Sequence, residues 1–194
     1  ADATHGPIVC SPAEKAHIEH AWPDTLVKRT AEDGETLDLG GVTLEFIHTP
    51  GHTMGSLCVL FREQSVLFTG DTVLGSGSTT IRPGQGDMAL YLDSLRKLQS
   101  YDSRLIAPGH GPVIQGARAG IQRVIDRRLE RERYIVDLVG QGRNTIEQMF
   151  QAIYAGLDAS LDELARDQIR SHLIKLEREG RVSSVPGKDG LYAL

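Results

Sequence analysis

The sequence has 194 residues, of which 40% are hydrophobic and 24% are charged, enough for one sizeable core or for one core and a small accessory domain. No stretch approaches the roughly 18 apolar residues of a membrane helix, and the N-terminus lacks the basic and then apolar pattern of a signal peptide. We therefore expect a globular protein in the cytoplasm, with no membrane partner.

The net charge of −5 is unevenly distributed along the chain. Residues 1–115 contain 8 Lys and Arg against 14 Asp and Glu, whereas residues 116–194 contain 13 against 12. Neutralising the phosphates of a nucleic-acid duplex requires a surplus of basic residues. The overall charge of the second part therefore does not favour strong duplex binding.

Residues 1–115 alternate short apolar strands with helices, which predicts a layered α/β domain. Strands are predicted at residues 8–10, 26–29, 42–47, 56–61, 66–68 and 105–107. Helices are predicted over residues 12–20, with Ser11 as the N-cap, and over residues 87–98. Cys10 and Cys58 fall within apolar stretches, so we expect buried free thiols rather than a disulfide.

Residues 116–194 have a helical period and form a second predicted domain, which we expect to be a winged helix. Three helices are expected: one opening at Ile121, one starting at Asn144 or Thr145, and one over residues 161–179. Residues 181–185 and 191–194 flank the turn 186–190 and predict a β-hairpin. Three helices followed by a hairpin is the order of a winged helix-turn-helix.

Two features of these helices are expected to be structural. Residues 127–133 combine arginines with Glu130 and Glu132, which predicts a solvated helix face with i,i+4 ion pairs. His172 lies between apolar neighbours on the third helix, so a partly buried packing role is favoured over a ligand role.

Three motifs share one design, in which an apolar strand is followed by a glycine turn and then by a side chain that can bind a metal. His52 lies in HTPGHTMGS, Asp71 in FTGDT and His110 in PGHGP. Because strands of one packed layer bring their ends together, we expect these three side chains to converge at one sheet edge. Imidazole and carboxylate groups are the ligand types that suit catalytic zinc.

The same motifs carry a family resemblance. Residues 49–53, 70–71 and 108–112 resemble, in order and spacing, the later motifs of the metallo-β-lactamase-fold hydrolases. The C-terminal helices, including residues 173–180, resemble the winged-helix tail of the β-lactamase-like protein 2 subfamily. The resemblance implies an αββα sandwich, followed by a winged-helix domain.

The resemblance also implies a site with two Zn²⁺ ions. His52 would be a ligand of the first zinc, Asp71 would bridge both ions and orient the nucleophile, and His110 would bind the second zinc. The implied chemistry is metal-assisted hydrolysis, in which a hydroxide held between the zincs attacks the carbonyl of an ester or thioester.

One family motif, H-x-H-x-D-H, has no counterpart in this sequence. His17 and His20 have the wrong spacing and lie on a predicted helix. Because that motif supplies two ligands to each metal in the family, we expect an N-terminally incomplete sandwich with half of the zinc ligands, weak zinc binding and slow hydrolysis. His48 is an alternative zinc ligand, although its position at the end of a strand makes it difficult for its side chain to reach the metal site.

Three functions stay open at this point. The first is a zinc hydrolase of a small-molecule ester or thioester, and the second is an endonuclease that cleaves single-stranded RNA. The third is a non-catalytic winged-helix binding module with a relic metal site. We favour a winged helix that caps the hydrolase core or mediates a homodimer. The only predicted substrate-side element is the loop of residues 75–80, which lacks the Gly-Lys-Ser/Thr ending of a phosphate cradle.

Overall fold

A small parallel sheet opens the fold. The structure, a computed structural model, describes residues 8–23, 27–188 and 190–194. Strands β1 (Ile8–Cys10) and β2 (Val27–Thr30) pair in parallel, and helix α1 (Pro12–Ala21) connects them. Leu26 of the second predicted strand lies outside the described residues. Ser11 precedes α1 as predicted, but its side chain makes no capping hydrogen bond.

The main sheet has six strands in chain order. They are β3 (Thr36–Asp38), β4 (Thr43–His48), β5 (Leu57–Phe61), β6 (Val66–Gly70), β7 (Leu105–Pro108) and β8 (Ile114–Gln115). Strands β6 and β7 pair in parallel, and all other neighbours pair antiparallel. Strands β4, β6 and β7 therefore run in the same direction, and their carboxyl ends lie at one edge of the sheet.

Helix α2 (Met88–Leu98) packs its apolar face into the first core. The Asp87 side chain caps this helix by accepting hydrogen bonds from Ala89 N at 2.8 Å and Leu90 N at 3.0 Å. Strands of the main sheet and the helix that follows it also contribute apolar side chains to this core. Among them are Ile47, Leu67, Ile106, Ile121 and Ile125.

The C-terminal part contains three helices and a hairpin, as predicted. The helices are α3 (Ala117–Gly140), α4 (Ile146–Ile153) and α5 (Asp162–Arg178), and the hairpin pairs β9 (Ser183–Ser184) with β10 (Tyr192–Ala193). Thr145 caps α4 in a capping box with Gln148. Asp189 of the predicted turn lies outside the described residues. Because α3 contributes apolar side chains to both cores, a domain boundary between residues 115 and 116 stays a prediction.

The charged middle of α3 is only in part the solvated face that the sequence predicts: Arg127, Glu130 and Arg133 are exposed. Arg128 and Glu132 are buried because α5 packs against this side of α3. Glu132 accepts a hydrogen bond from Lys175 Nζ at 2.7 Å and also pairs with Arg181, instead of pairing within its own helix. The prediction of i,i+4 pairs is therefore wrong for these two residues.

Both cysteines are in the state that the sequence predicts. Cys10 and Cys58 are buried free thiols, and burial raises the pKa of Cys58 to about 11. Among the helices of the described ranges, none combines the length and the apolar character needed to cross a membrane.

Candidate metal centre

The three predicted ligands lie together at the edge where β4, β6 and β7 end. His52 Nε2 is 3.8 Å from Asp71 Oδ2, and His110 Nε2 is 3.5 Å from Asp71 Oδ1. Each residue follows one of the three strands that run in the same direction, which explains why they meet. The carboxylate thus directs one oxygen towards each histidine.

His52 is oriented by a backbone carbonyl. Its Nδ1 donates a hydrogen bond to Thr80 O at 2.9 Å, which leaves the lone pair on Nε2, the atom nearest to Asp71. Metal-binding histidines usually donate their second nitrogen in this way. Gly51 allows the turn that carries His52, because its φ is +138° and a Cβ there would lie 2.3 Å from Tyr91 Cα.

Asp71 is placed by the junction of β6 and β7. Gly109 N donates to Gly70 O at 2.9 Å, and a Cβ at Gly109 would lie 3.0 Å from Asp71 Oδ1. A glycine at position 109 therefore lets the His110 turn approach the carboxylate closely. The backbone oxygen of Asp71 accepts a hydrogen bond from Thr79 Oγ1 at 2.7 Å.

The cluster is open to solvent. The side chains of His52, Asp71 and His110 are 30%, 42% and 76% exposed. The loop of residues 75–80 lies beside it, since Gly75 N donates to His110 O at 2.9 Å. A substrate can thus reach the carboxylate and both ring nitrogens from outside.

The cluster supplies the right types of donor for zinc, but not a complete set. In the ranges that the structure describes, no group of three or more His, Cys, Asp and Glu side chains has the geometry of a metal site. His48 does not fill the gap, because its Nε2 donates to Met54 O at 2.9 Å. The nitrogens of His52 and His110 and the carboxylate of Asp71 fit zinc in chemistry, and the tautomer of His52 suits a ligand. Their role as metal ligands stays a prediction.

Sequence reasoning missed the residues that support His52 from behind. Thr80 acts through its carbonyl oxygen, for which a sequence carries no side-chain signal. The neighbouring Thr79 O accepts hydrogen bonds from Arg128 Nη2 on α3 and from Gln168 Nε2 on α5 at 2.9 Å. These contacts join positions that are 49 and 89 residues apart, so no local sequence pattern predicts them.

Comparison with known proteins identifies the family of this chain. Residues 1–110 match the Metallo-beta-lactamase superfamily. The chain belongs to this superfamily. Residues 145–189 match the Beta-lactamase associated winged helix domain, in agreement with the three helices and the hairpin. Members of the metallo-beta-lactamase superfamily typically bind metal ions.

Curated relatives include proteins named as thioesterases and a protein named as beta-lactamase-like. An Aspergillus fumigatus protein named atrochrysone carboxyl ACP thioesterase is 35% identical over 163 residues, covering 77% of this chain and 50% of that protein. A Caenorhabditis elegans protein named beta-lactamase-like protein 2 homolog is 31% identical over 154 residues, covering 79% of this chain and 51% of that protein. The chain spans about half the length of the curated relatives it matches.

Solved structures show the same fold. A metallo-beta-lactamase family protein from Thermus thermophilus superposes with a TM-score of 0.82 at 19% identity, covering 99% of this chain and 73% of that one. A beta-lactamase domain protein from Burkholderia ambifaria gives a TM-score of 0.76 at 22% identity, with 93% and 57% covered. The predicted mixed α/β metallo-β-lactamase fold with a winged helix is therefore confirmed.

Proposed function

We propose that this chain carries part of the active site of a zinc-dependent hydrolase that cleaves a thioester. The observation that carries the proposal is the meeting of His52, Asp71 and His110 at one sheet edge, where each histidine lies within 3.8 Å of the carboxylate. The choice of a thioester is supported by the thioesterase names of relatives such as the Aspergillus fumigatus protein. Since the chain spans about half of that protein, its activity and substrate are proposals.

The side chains have separate roles in this proposal. His52 and His110 would each offer an Nε2 lone pair to zinc, and Asp71 would offer its carboxylate oxygens. Zinc, when bound, supplies Lewis-acid chemistry, which makes water more acidic and stabilises negative charge on a carbonyl oxygen. Thr80 would keep the His52 ring in the tautomer that a ligand requires.

Hydrolysis joins a water oxygen to the acyl carbon and breaks the bond between carbon and sulfur. Asp71 would orient the water through a carboxylate oxygen, and the proton that the water loses would pass to the leaving thiolate. Water and thioester thereby give a carboxylic acid and a thiol. The exposed face of the cluster leaves room for the substrate at Asp71.

The two other functions stay predictions. Residues 116–194 contain 13 basic and 12 acidic residues, so the charge of the winged-helix part gives no argument for single-stranded RNA. A relic site is disfavoured because the hydrogen bond from His52 to Thr80 would be unnecessary in a centre that binds nothing.

The proposal is tested by supplying the missing donors and removing one that is present. We would join a segment carrying H-x-H-x-D-H in front of residue 1, add zinc, and measure thiol release from an acyl thioester beside cleavage of a single-stranded RNA. Asp71→Asn should lower thioester turnover by about 100-fold or more, because a bridging carboxylate is lost.

Asp102→Asn is the matched control, since Asp102 is exposed and lies at the opposite end of β7. It should leave turnover unchanged. Thioester turnover that survives Asp71→Asn, or RNA cleavage without thioester cleavage, would refute the proposal.

A further inference from the structure

A large cavity lies behind the candidate metal centre. It has a volume of about 1160 Å³, and its wall is formed by the loop residues Gly77, Ser78 and Thr80 together with residues of α3, α4, α5 and the α4–α5 connection. Thr80 belongs to this wall and also accepts the hydrogen bond from His52. The cavity therefore adjoins the candidate centre through one residue.

One side of the cavity is apolar. It is lined by the end of α4, the connection to α5, and the start of α5. The residues are Ile153, Tyr154, Leu157, Leu161 and Leu164. Such a wall suits an aliphatic or aromatic group, because burial of apolar surface favours binding.

The other side is rich in arginine. Four arginines of α3 line it against two carboxylates: Arg127, Arg128, Arg131 and Arg133 against Glu130 and Asp137. Arg131 lies over the Tyr154 ring, with Cζ 4.6 Å from the ring centroid, and its Nη1 is buried and donates no hydrogen bond to any described residue. Arg128 Nε is likewise buried and unpartnered within the described part of the chain.

A fully buried histidine completes this side. His172 lines the cavity, and neither of its ring nitrogens meets a hydrogen-bond partner among the residues described. Burial, followed by the charges of Arg128, Arg131 and Lys175, lowers the pKa of His172 to about 3, so the ring is neutral at pH 7. A neutral imidazole offers one donor and one acceptor.

These unpartnered groups are the unusual feature. Buried polar atoms in folded proteins nearly always have hydrogen-bond partners, so several orphaned ones at one cavity indicate a missing polar partner. The excess of guanidinium groups over carboxylates indicates that this partner is negatively charged.

We propose that the cavity binds an amphipathic anion, with an aromatic or aliphatic body against the leucine side and a carboxylate, phosphate or sulfonate group against Arg131 and its neighbouring arginines. The identification of this ligand as the acyl part of the substrate rests on the proposed function. The proposal that the cavity binds such an anion does not depend on the proposed function.

The test uses two ligands of the same shape, 2-naphthoate and its neutral analogue 2-naphthamide. Their affinities for the 194-residue chain would be measured by isothermal titration calorimetry with EDTA present, so that metal plays no part. We expect the anion to bind at least about tenfold more tightly than the amide, because its hydrogen bonds to arginine are charge-assisted. Arg131→Gln should remove most of this preference.

Arg123→Gln is the matched control, since Arg123 is exposed on the same helix and does not line the cavity. It should leave the preference unchanged. Leu161→Gln changes the exposed end of the apolar side and should weaken both ligands several-fold while keeping the preference. If Arg131→Gln fails to fold, the exposed cavity residue Arg127 takes its place as Arg127→Gln.

Equal affinity for the two ligands would overturn the proposal, as would a preference that both arginine substitutions leave intact. The calorimetry uses EDTA and the 194-residue chain, so its result does not depend on zinc. Selective binding together with no thioester turnover by the zinc-loaded protein extended with the H-x-H-x-D-H segment would refute the proposed function and leave this site standing. Thioester turnover by the extended protein, without selective binding by the 194-residue chain, would overturn this site and leave the proposed function standing.

Discussion

His52 shows how a single carbonyl can determine what a side chain does. With Nδ1 donating to Thr80 O, the ring presents Nε2 to Asp71, and the reversed tautomer would present a hydrogen there. The sequence identified His52, Asp71 and His110 as a group because each follows a strand and a glycine turn. It could not identify Thr80, whose contribution comes from its backbone.

His172 makes the stability of the protein depend on pH. Its pKa is about 3 in the folded protein, through burial and the charges of Arg128, Arg131 and Lys175, against an ordinary value of 6.5. Between pH 6.5 and about pH 3, His172 is protonated in the unfolded chain but neutral in the folded protein. The free energy of unfolding therefore falls as the pH drops through this window, by up to about 1.4 kcal/mol per pH unit.

We predict that His172→Gln reduces this dependence. Urea unfolding at pH 7 and pH 5 should show that the wild type loses about 2 kcal/mol more than the variant, because the variant has no group to protonate at this position. Equal losses in the two proteins would show that His172 is accessible to protons in the folded state.

At the scale of elements, local signals located most helices and strands. Alternating apolar residues marked β4 and β5, and the capping residues Asp87 and Thr145 marked the starts of α2 and α4. Strands β3 and β8 were missed because they are edge strands of 3 and 2 residues with too few positions to show a period. Edge strands of this length are defined by their pairing partners rather than by their own sequence.

The junction of α3 and α5 was also beyond a local pattern. The sequence predicted that Glu132 would be solvated, whereas the packing of α5 buries it and pairs it with Lys175 at 2.7 Å. The two positions are 43 residues apart, so only the tertiary structure brings them together.

We predict that Glu132→Gln lowers the free energy of unfolding by about 2 kcal/mol, since it removes the buried one of the two carboxylates that pair with the ammonium of Lys175, the other being the more exposed Glu179. Glu130→Gln, two residues earlier on the same helix and exposed, should change stability by less than about 0.5 kcal/mol. Chemical denaturation of the three proteins makes the comparison, and similar values for both variants would contradict the importance of this ion pair.

At the scale of the whole molecule, helices α3 and α5 hold the loop that orients His52. Arg128 of α3 and Gln168 of α5 bind Thr79 O, and the next carbonyl, Thr80 O, binds His52. Arg178 of α5 also pairs with Asp87, the cap of α2. The C-terminal helices thus support the candidate centre, in line with the expected role as a cap on the hydrolase core.

The central claim is that His52, Asp71 and His110 act together as zinc ligands. Catalytic zinc usually has three protein ligands for each ion, whereas here only the carboxylate and one histidine would be available to each of two ions. Binding by this chain should therefore be weak, in line with the incomplete donor set among its described residues.

Zinc titration against a chromophoric chelator measures this directly, in the wild-type chain, in Asp71→Asn, and in His48→Gln, whose native ring is held by Met54 O outside the cluster. We predict weak zinc binding that dialysis removes, a loss of at least about tenfold in affinity in Asp71→Asn, and no change in His48→Gln. Zinc bound equally well by the wild type and Asp71→Asn, or retained in stoichiometric amount after dialysis, would contradict this prediction.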